Sequence, residues 1–171
     1  DAEGGDFRGL IVVAGSPRKL GEIIRDQNLA QLDDLPDNVR ESARQQITAL
    51  LEMFDAFQDM PDEDVKQIDI GGASGYYIKD VDARPASFYL ADSVKPILIV
   101  QGSKDFQIIA DVDFAAYQTL LGDRANATLK LYDGLNHLMM PHVNGTIEDY
   151  ELPANVDAQV ITDVADWILS M

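Results

Sequence analysis

The chain has 171 residues, 46% of them apolar, with 13 basic against 30 acidic side chains and a formal net charge of −17. That length and apolar content fit one domain with a substantial core, and the acidic excess argues against nucleic acid, anionic membranes and polyphosphates, all of which are recognised by basic patches. No apolar run approaches the length of a membrane span, and without cysteine neither a disulfide nor a thiolate metal site can form.

Residues 1–8 are acidic and lack the apolar stretch of a signal peptide, and a start at Asp1 rather than Met reads as a trimmed chain. Gly9–Ala14, rich in β-branched residues, predicts a strand of a parallel sheet covered on both faces. Ser16-Pro17 then predicts a helix start, with Ser as N-cap and Pro at the first helical position, and Leu20, Ile23 and Ile24 on one helical side. From Leu35 to Met60 apolar residues recur at threes and fours (Val39, Ala43, Ile47, Leu50, Leu51, Phe54, Phe57), which predicts the longest amphipathic helix. Asp62-Glu63-Asp64 suits the start of a further short helix. Gly71–Gly75 reads as a flexible joint before an aromatic segment, Tyr76–Tyr89, of no clear secondary structure. Pro96–Val100 predicts a second buried strand, Asp111–Leu121 a helix capped by Asp111 and stopped by Gly122, and Thr128–Tyr132 a half-exposed strand near a sheet edge. A loop runs from Asp133 to Pro153, before a final helix over Val156–Leu169. Strands alternating with helices make a doubly wound α/β pattern, interrupted by a mostly helical insertion over 17–90.

In such sheets functional groups gather beyond the carboxyl ends of the strands. Asp105 stands there after the second strand and His137 after the third, 32 residues apart, the length that one helix and one strand need to bring the two loops side by side. An acid that orients an imidazole and an imidazole that moves protons are two thirds of a hydrolytic triad.

The stretches Pro96-Ile-Leu-Ile-Val-Gln-Gly-Ser-Lys-Asp-Phe-Gln-Ile108 and Leu131-Tyr-Asp-Gly-Leu-Asn-His-Leu-Met139 resemble the C-terminal half of an α/β-hydrolase, nearest to bacterial esterases and acyl hydrolases. Gly9–Leu20 followed by Glu22–Gln27 is similar to the sixth strand of that family and the start of its cap. The resemblance spans nearly the whole chain. It implies the C-terminal strands of a hydrolase sheet with residues 17–90 as lid, Asp105 as catalytic acid, His137 as catalytic base, a small ester or acyl substrate and no cofactor.

The family's serine lies in a Gly-x-Ser-x-Gly elbow that precedes the acid in the chain, and no such motif occurs in this sequence. Ser16 follows a strand, but Pro17 has no N–H to offer an oxyanion. Ser74 lacks the downstream Gly and a buried strand before it. Ser103 shares a turn with Asp105, too close for a histidine to sit between them. The nucleophile is therefore expected upstream of Asp1, and these residues alone are expected to be inactive. The strand at Leu10–Ala14, deprived of a neighbour, is expected to pair two copies into a homodimer. The alternative is a non-catalytic binding or dimerisation domain with a hydrolase-like fold.

Other constellations are weaker. His142 reads as a surface loop residue, and two neighbouring histidines without cysteine do not make a zinc site. Asp80-Val-Asp82 and Asp111-Val-Asp113 lack the other ligands of a calcium loop. Asp111 and Asp133 are alternative acids better explained by capping and a turn. Asn126-Ala-Thr128 and Asn144-Gly-Thr146 match glycosylation sequons. Tyr76, Tyr77, Phe88 and Tyr89 are expected to pack in the core or cap rather than line an acyl pocket.

Overall fold

The computed structural model describes residues 6–32, 35–141 and 147–171. His142 and the Asn144 sequon lie outside them. In chain order the elements are β1 (Leu10–Val13), α1 (Leu20–Leu32), α2 (Asp37–Phe57), α3 (Asp62–Val65), β2 (Asp69–Ile70), β3 (Ala73–Ser74), α4 (Gly75–Ala83), α5 (Ala86–Asp92), β4 (Ile97–Gly102), α6 (Ala110–Leu121), β5 (Ala127–Tyr132), a 3-10 helix (Ile147–Glu151) and α7 (Ala158–Leu169). They divide into two compact units, one made of residues 1–17 and 89–171, the other of Arg18–Phe88.

The first unit is an α/β layer built on a three-stranded sheet in the order β1-β4-β5. All pairings are parallel, with Leu10 opposite Ile97 and Ile97 opposite Ala127. Successive strand residues face opposite sides, and every residue of β4 is buried, so both faces of the central strand are covered. Burying Ile97, Leu98, Ile99 and Val100 contributes about 1.5–3 kcal/mol each before entropy is counted. Phe114, Tyr117 and Leu121 of α6 are buried as well. On the side of β5 that carries Lys130 and Tyr132, Asp163 of α7 takes a hydrogen bond from the Tyr132 hydroxyl at 2.8 Å and an ion pair from Lys130 at 2.8 Å. Val160 and Val164 of the same helix pack with Ala14, Leu135 and Met139.

β1 stands at an edge of the sheet, as expected of a strand deprived of a neighbour, but it is not covered on both faces: its residues are only partly buried and Val13 is 52% exposed. An apolar run reports that a strand is buried somewhere, and not how completely each face is covered. The helix expected from Ser16-Pro17 begins only at Leu20. Ser16 is not its cap, because it lies four residues before Leu20; its hydroxyl donates to Asp113 of α6 at 2.5 Å. Asp111 likewise is not the cap of α6: Ile109 occupies that position and Asp111 lies in the first turn.

The second unit is helical. Phe54, Phe57, Val65 and Ile78 form its core, with Leu20, Ile24, Leu50, Leu51 and Tyr76 against them. The joint expected at Gly71–Gly75 is an ordered hairpin: Ile70 pairs antiparallel with Ala73, and Gly71 and Gly72 have φ of 60° and 93°. A two-residue turn that follows strand twist requires positive φ at both central positions, which glycine adopts without strain. The aromatic segment is mostly helix, α4 and α5, and Ser74 caps α4 by accepting from Tyr77 N–H at 3.2 Å. Tyr76 packs on the core, whereas Tyr77, Phe88 and Tyr89 are exposed, contrary to the packing expected for all four. Among the described residues no helix is long and apolar enough to cross a membrane.

Candidate functional site

The loops that leave β4 and β5 run side by side because two features allow close approach. Gly102 ends β4 against the backbone of Leu135, where an added Cβ would lie 2.2 Å from the Leu135 carbonyl oxygen. Beyond it, Ser103 N–H donates to the Tyr132 carbonyl (2.8 Å) and Lys104 N–H to the Leu135 carbonyl (2.9 Å). The Ser103 hydroxyl donates to Asp133 (3.0 Å) and accepts from Gly134 N–H (2.9 Å). Ser103 is thus a clamp between the loops, and Asp133 its acceptor. Gly134 takes the left-handed φ of 73° that turns the chain toward the histidine.

Asp105 and His137 meet at the end of this zipper. His137 Nδ1 lies 3.0 Å from Asp105 Oδ2. A carboxylate only accepts, so Nδ1 is the donor of this bond and Nε2 points away from the acid. The Asp105 side chain has no solvent exposure and that of His137 has 27%. The other carboxylate oxygen accepts from Gln107 N–H and Ile108 N–H, both at 2.9 Å. Three donors compensate a buried carboxylate that would otherwise lose its hydration unrequited. From β4, buried Gln101 donates to the Ile108 carbonyl at 2.5 Å, tying the acid's loop to the sheet.

Tyr150 flanks the acid's loop. Gln107 donates to its hydroxyl at 2.6 Å, and its ring lies 5.4 Å from that of Phe106 at an interplanar angle of 30°. Burial raises the Tyr150 phenol above its ordinary range, Asp105 and Asp149 add to the rise, and the Gln107 hydrogen bond partly offsets it. Tyr150 therefore remains a neutral hydroxyl beside the pair. Its place beside Asp105 depends on a contact 43 residues away along the chain, for which the sequence carries no local signal.

An acid that orients a partly exposed base can deliver a proton acceptor to a hydroxyl or a water; it needs a nucleophile to do more. Each serine weighed from the sequence is bonded elsewhere: Ser16 to Asp113, Ser74 to the start of α4, Ser103 to Asp133 and Gly134. Among the described residues no hydroxyl is hydrogen-bonded to His137, and no group of three or more His, Cys, Asp or Glu could hold a metal ion.

No protein-family model and no curated protein matches the sequence.

Proposed function

We propose that Asp105 and His137 are the acid and base of a serine hydrolase acting on carboxylic esters, and that the serine lies outside these 171 residues. One observation carries this reading: a buried carboxylate 3.0 Å from Nδ1 of a partly exposed histidine, at the carboxyl ends of adjacent parallel strands. The strand order, with β1 before β4 and β5, agrees with the resemblance to the last strands of an α/β-hydrolase. In the mechanism, His137 Nε2 takes the proton from the serine hydroxyl as its oxygen bonds to the ester carbonyl carbon. The same proton passes to the departing alkoxide when the carbon–oxygen bond breaks, leaving an acyl-enzyme. Water, deprotonated by His137, then bonds to the acyl carbon, and the proton passes from His137 to the serine oxygen as its bond to that carbon breaks and the acid departs. Asp105 holds the tautomer and stabilises the imidazolium between these steps. On this reading the helical unit Arg18–Phe88 sets substrate choice, as the lid does in the hydrolases that the sequence resembles.

Fluorophosphonate labelling tests the assignment. In the chain extended upstream of Asp1, the label falls on a serine before Asp1, and His137→Gln abolishes it. Labelling of Ser16, Ser74 or Ser103, or labelling that survives His137→Gln, overturns it.

A non-catalytic association role draws support from a different observation, the half-exposed apolar edge of β1. An edge strand offers unpaired N–H and C=O groups, and two copies meeting at Leu10–Val13 would satisfy them around a two-fold axis. On the hydrolase reading an upstream strand would take that edge instead, so the homodimer is a property of residues 1–171 alone.

A further inference from the structure

Asn136 precedes the base, is 1% exposed and has no part in the proton transfers just described. Its side-chain Oδ1 accepts from Leu138 N–H at 2.9 Å and from Met140 N–H at 3.2 Å. Its own N–H donates to the Met140 carbonyl at 2.9 Å, and its carbonyl accepts from Met139 N–H at 3.0 Å. One residue therefore closes the loop 136–140 with four hydrogen bonds, two of them through a side-chain carbonyl whose two lone pairs take both amides. The closure is demanding, because Met139 sits at φ 57°, a left-handed conformation uncommon for a residue other than glycine. His137 leaves the chain inside this loop, and its χ angles alone cannot bring Nδ1 to Asp105 unless the loop aims its Cα–Cβ bond there.

We propose that Asn136 is a positioning residue, whose side-chain oxygen closes the loop 136–140 and so holds the His137 ring on Asp105 in the Nδ1–H tautomer. The consequence for catalysis rests on the hydrolase reading; the aiming of the ring does not.

The test reads the ring directly. In a His142→Gln background, imidazole nitrogen shifts at mildly alkaline pH report the His137 tautomer, and the low-field Nδ1–H proton reports the bond to Asp105. The unsubstituted loop gives the Nδ1–H form. Asn136→Ala is expected to give mixed tautomers and lose the low-field signal while the protein stays folded, whereas Asn136→Asp, which keeps both acceptor bonds, retains them. A folded N136A with an unchanged tautomer overturns the proposal, since a purely structural asparagine would lower the melting temperature and leave the ring alone. Should N136A fail to fold, N136D decides: retention of the Nδ1–H form supports the role, and its loss in a folded N136D refutes it. In the upstream-extended chain, N136A should lower kcat by about 10²-fold, the order expected for a misplaced catalytic group, with KM little changed. An extended chain that hydrolyses no ester while N136A still scrambles the tautomer would refute the hydrolase and leave the positioning role standing.

Discussion

Ser16 shows how a side chain's long-range partner overrides its local signature. Ser-Pro before apolar residues reads as a helix start, yet the hydroxyl is held by Asp113, 97 residues away and fully buried. Ser16→Ala should therefore lower stability by about 1–3 kcal/mol, the scale of a hydrogen bond to a charged group, as measured by urea denaturation. It should leave turnover in the upstream-extended chain unchanged; a loss of turnover in a stably folded S16A would make Ser16 the nucleophile. Asp105 and His137 were legible because each follows an apolar run and a short turn, the pattern that puts groups at the sheet's carboxyl edge. Their partners were not: Gln107 and Ile108 bond the acid through backbone N–H groups, which every residue but proline carries and no spacing reveals. Asn126 makes the converse point. Its sequon is visible, but its amide donates to the carbonyls of Ser93 and Lys95, so attaching a glycan there, which takes one of the two amide hydrogens, would break at least one of those bonds.

At the level of elements, patterns were legible where one environment prevailed along a segment. β4 is apolar and wholly buried, and α2 keeps its apolar residues on one face, with Ile47, Phe54 and Phe57 buried. Where geometry rather than burial decides, as at the Gly71-Gly72 hairpin, composition alone read as looseness. Gly102 belongs to this second kind. A Cβ there would meet Leu135 and Asn136 backbone atoms at 2.2–2.8 Å, and backbone cannot rotate aside. Gly102→Ala should cost about 1–3 kcal/mol or more by overpacking and push the base's loop from the acid's; urea denaturation equal to that of the unsubstituted chain would contradict the close approach. The join of α7 to β5 predicts a pH dependence. Hydrogen bonds from Lys130, Tyr132 and Gln159 lower the Asp163 carboxyl from 3.8 to about 2, and burial together with the Asp163 bond raises the Tyr132 phenol. A carboxyl lowered by folding stabilises the fold above its unfolded pKa, and that contribution fades as pH falls from about 4 to about 2. Asp163→Asn should flatten the urea midpoint across that window, while added salt should weaken the Lys130 contribution.

For the whole molecule, the sequence indicated one domain with a helical insertion over 17–90, and the chain forms two compact units, the helical one spanning Arg18–Phe88. The helical segment gathers its own core from Phe54, Phe57, Val65 and Ile78, and self-sufficiency of that sort is hard to read from periodicity, which reveals apolar faces and not what they meet. Association at β1 must also overcome the repulsion between two chains of formal charge −17. Sedimentation should accordingly show a dimer that tightens with salt and is lost in Val13→Lys; a chain monomeric at high salt would remove the association surface. Whether Asp105 and His137 act as a hydrolase's acid and base is decided by p-nitrophenyl ester hydrolysis. Residues 1–171 alone should give no turnover, the upstream-extended chain should turn over, and Asp105→Asn in it should lower kcat by about 10⁴-fold, as loss of the correct imidazole tautomer does in a serine triad. Serine-dependent turnover by residues 1–171 alone, or an extended chain whose kcat is untouched by Asp105→Asn and His137→Gln, would contradict that role.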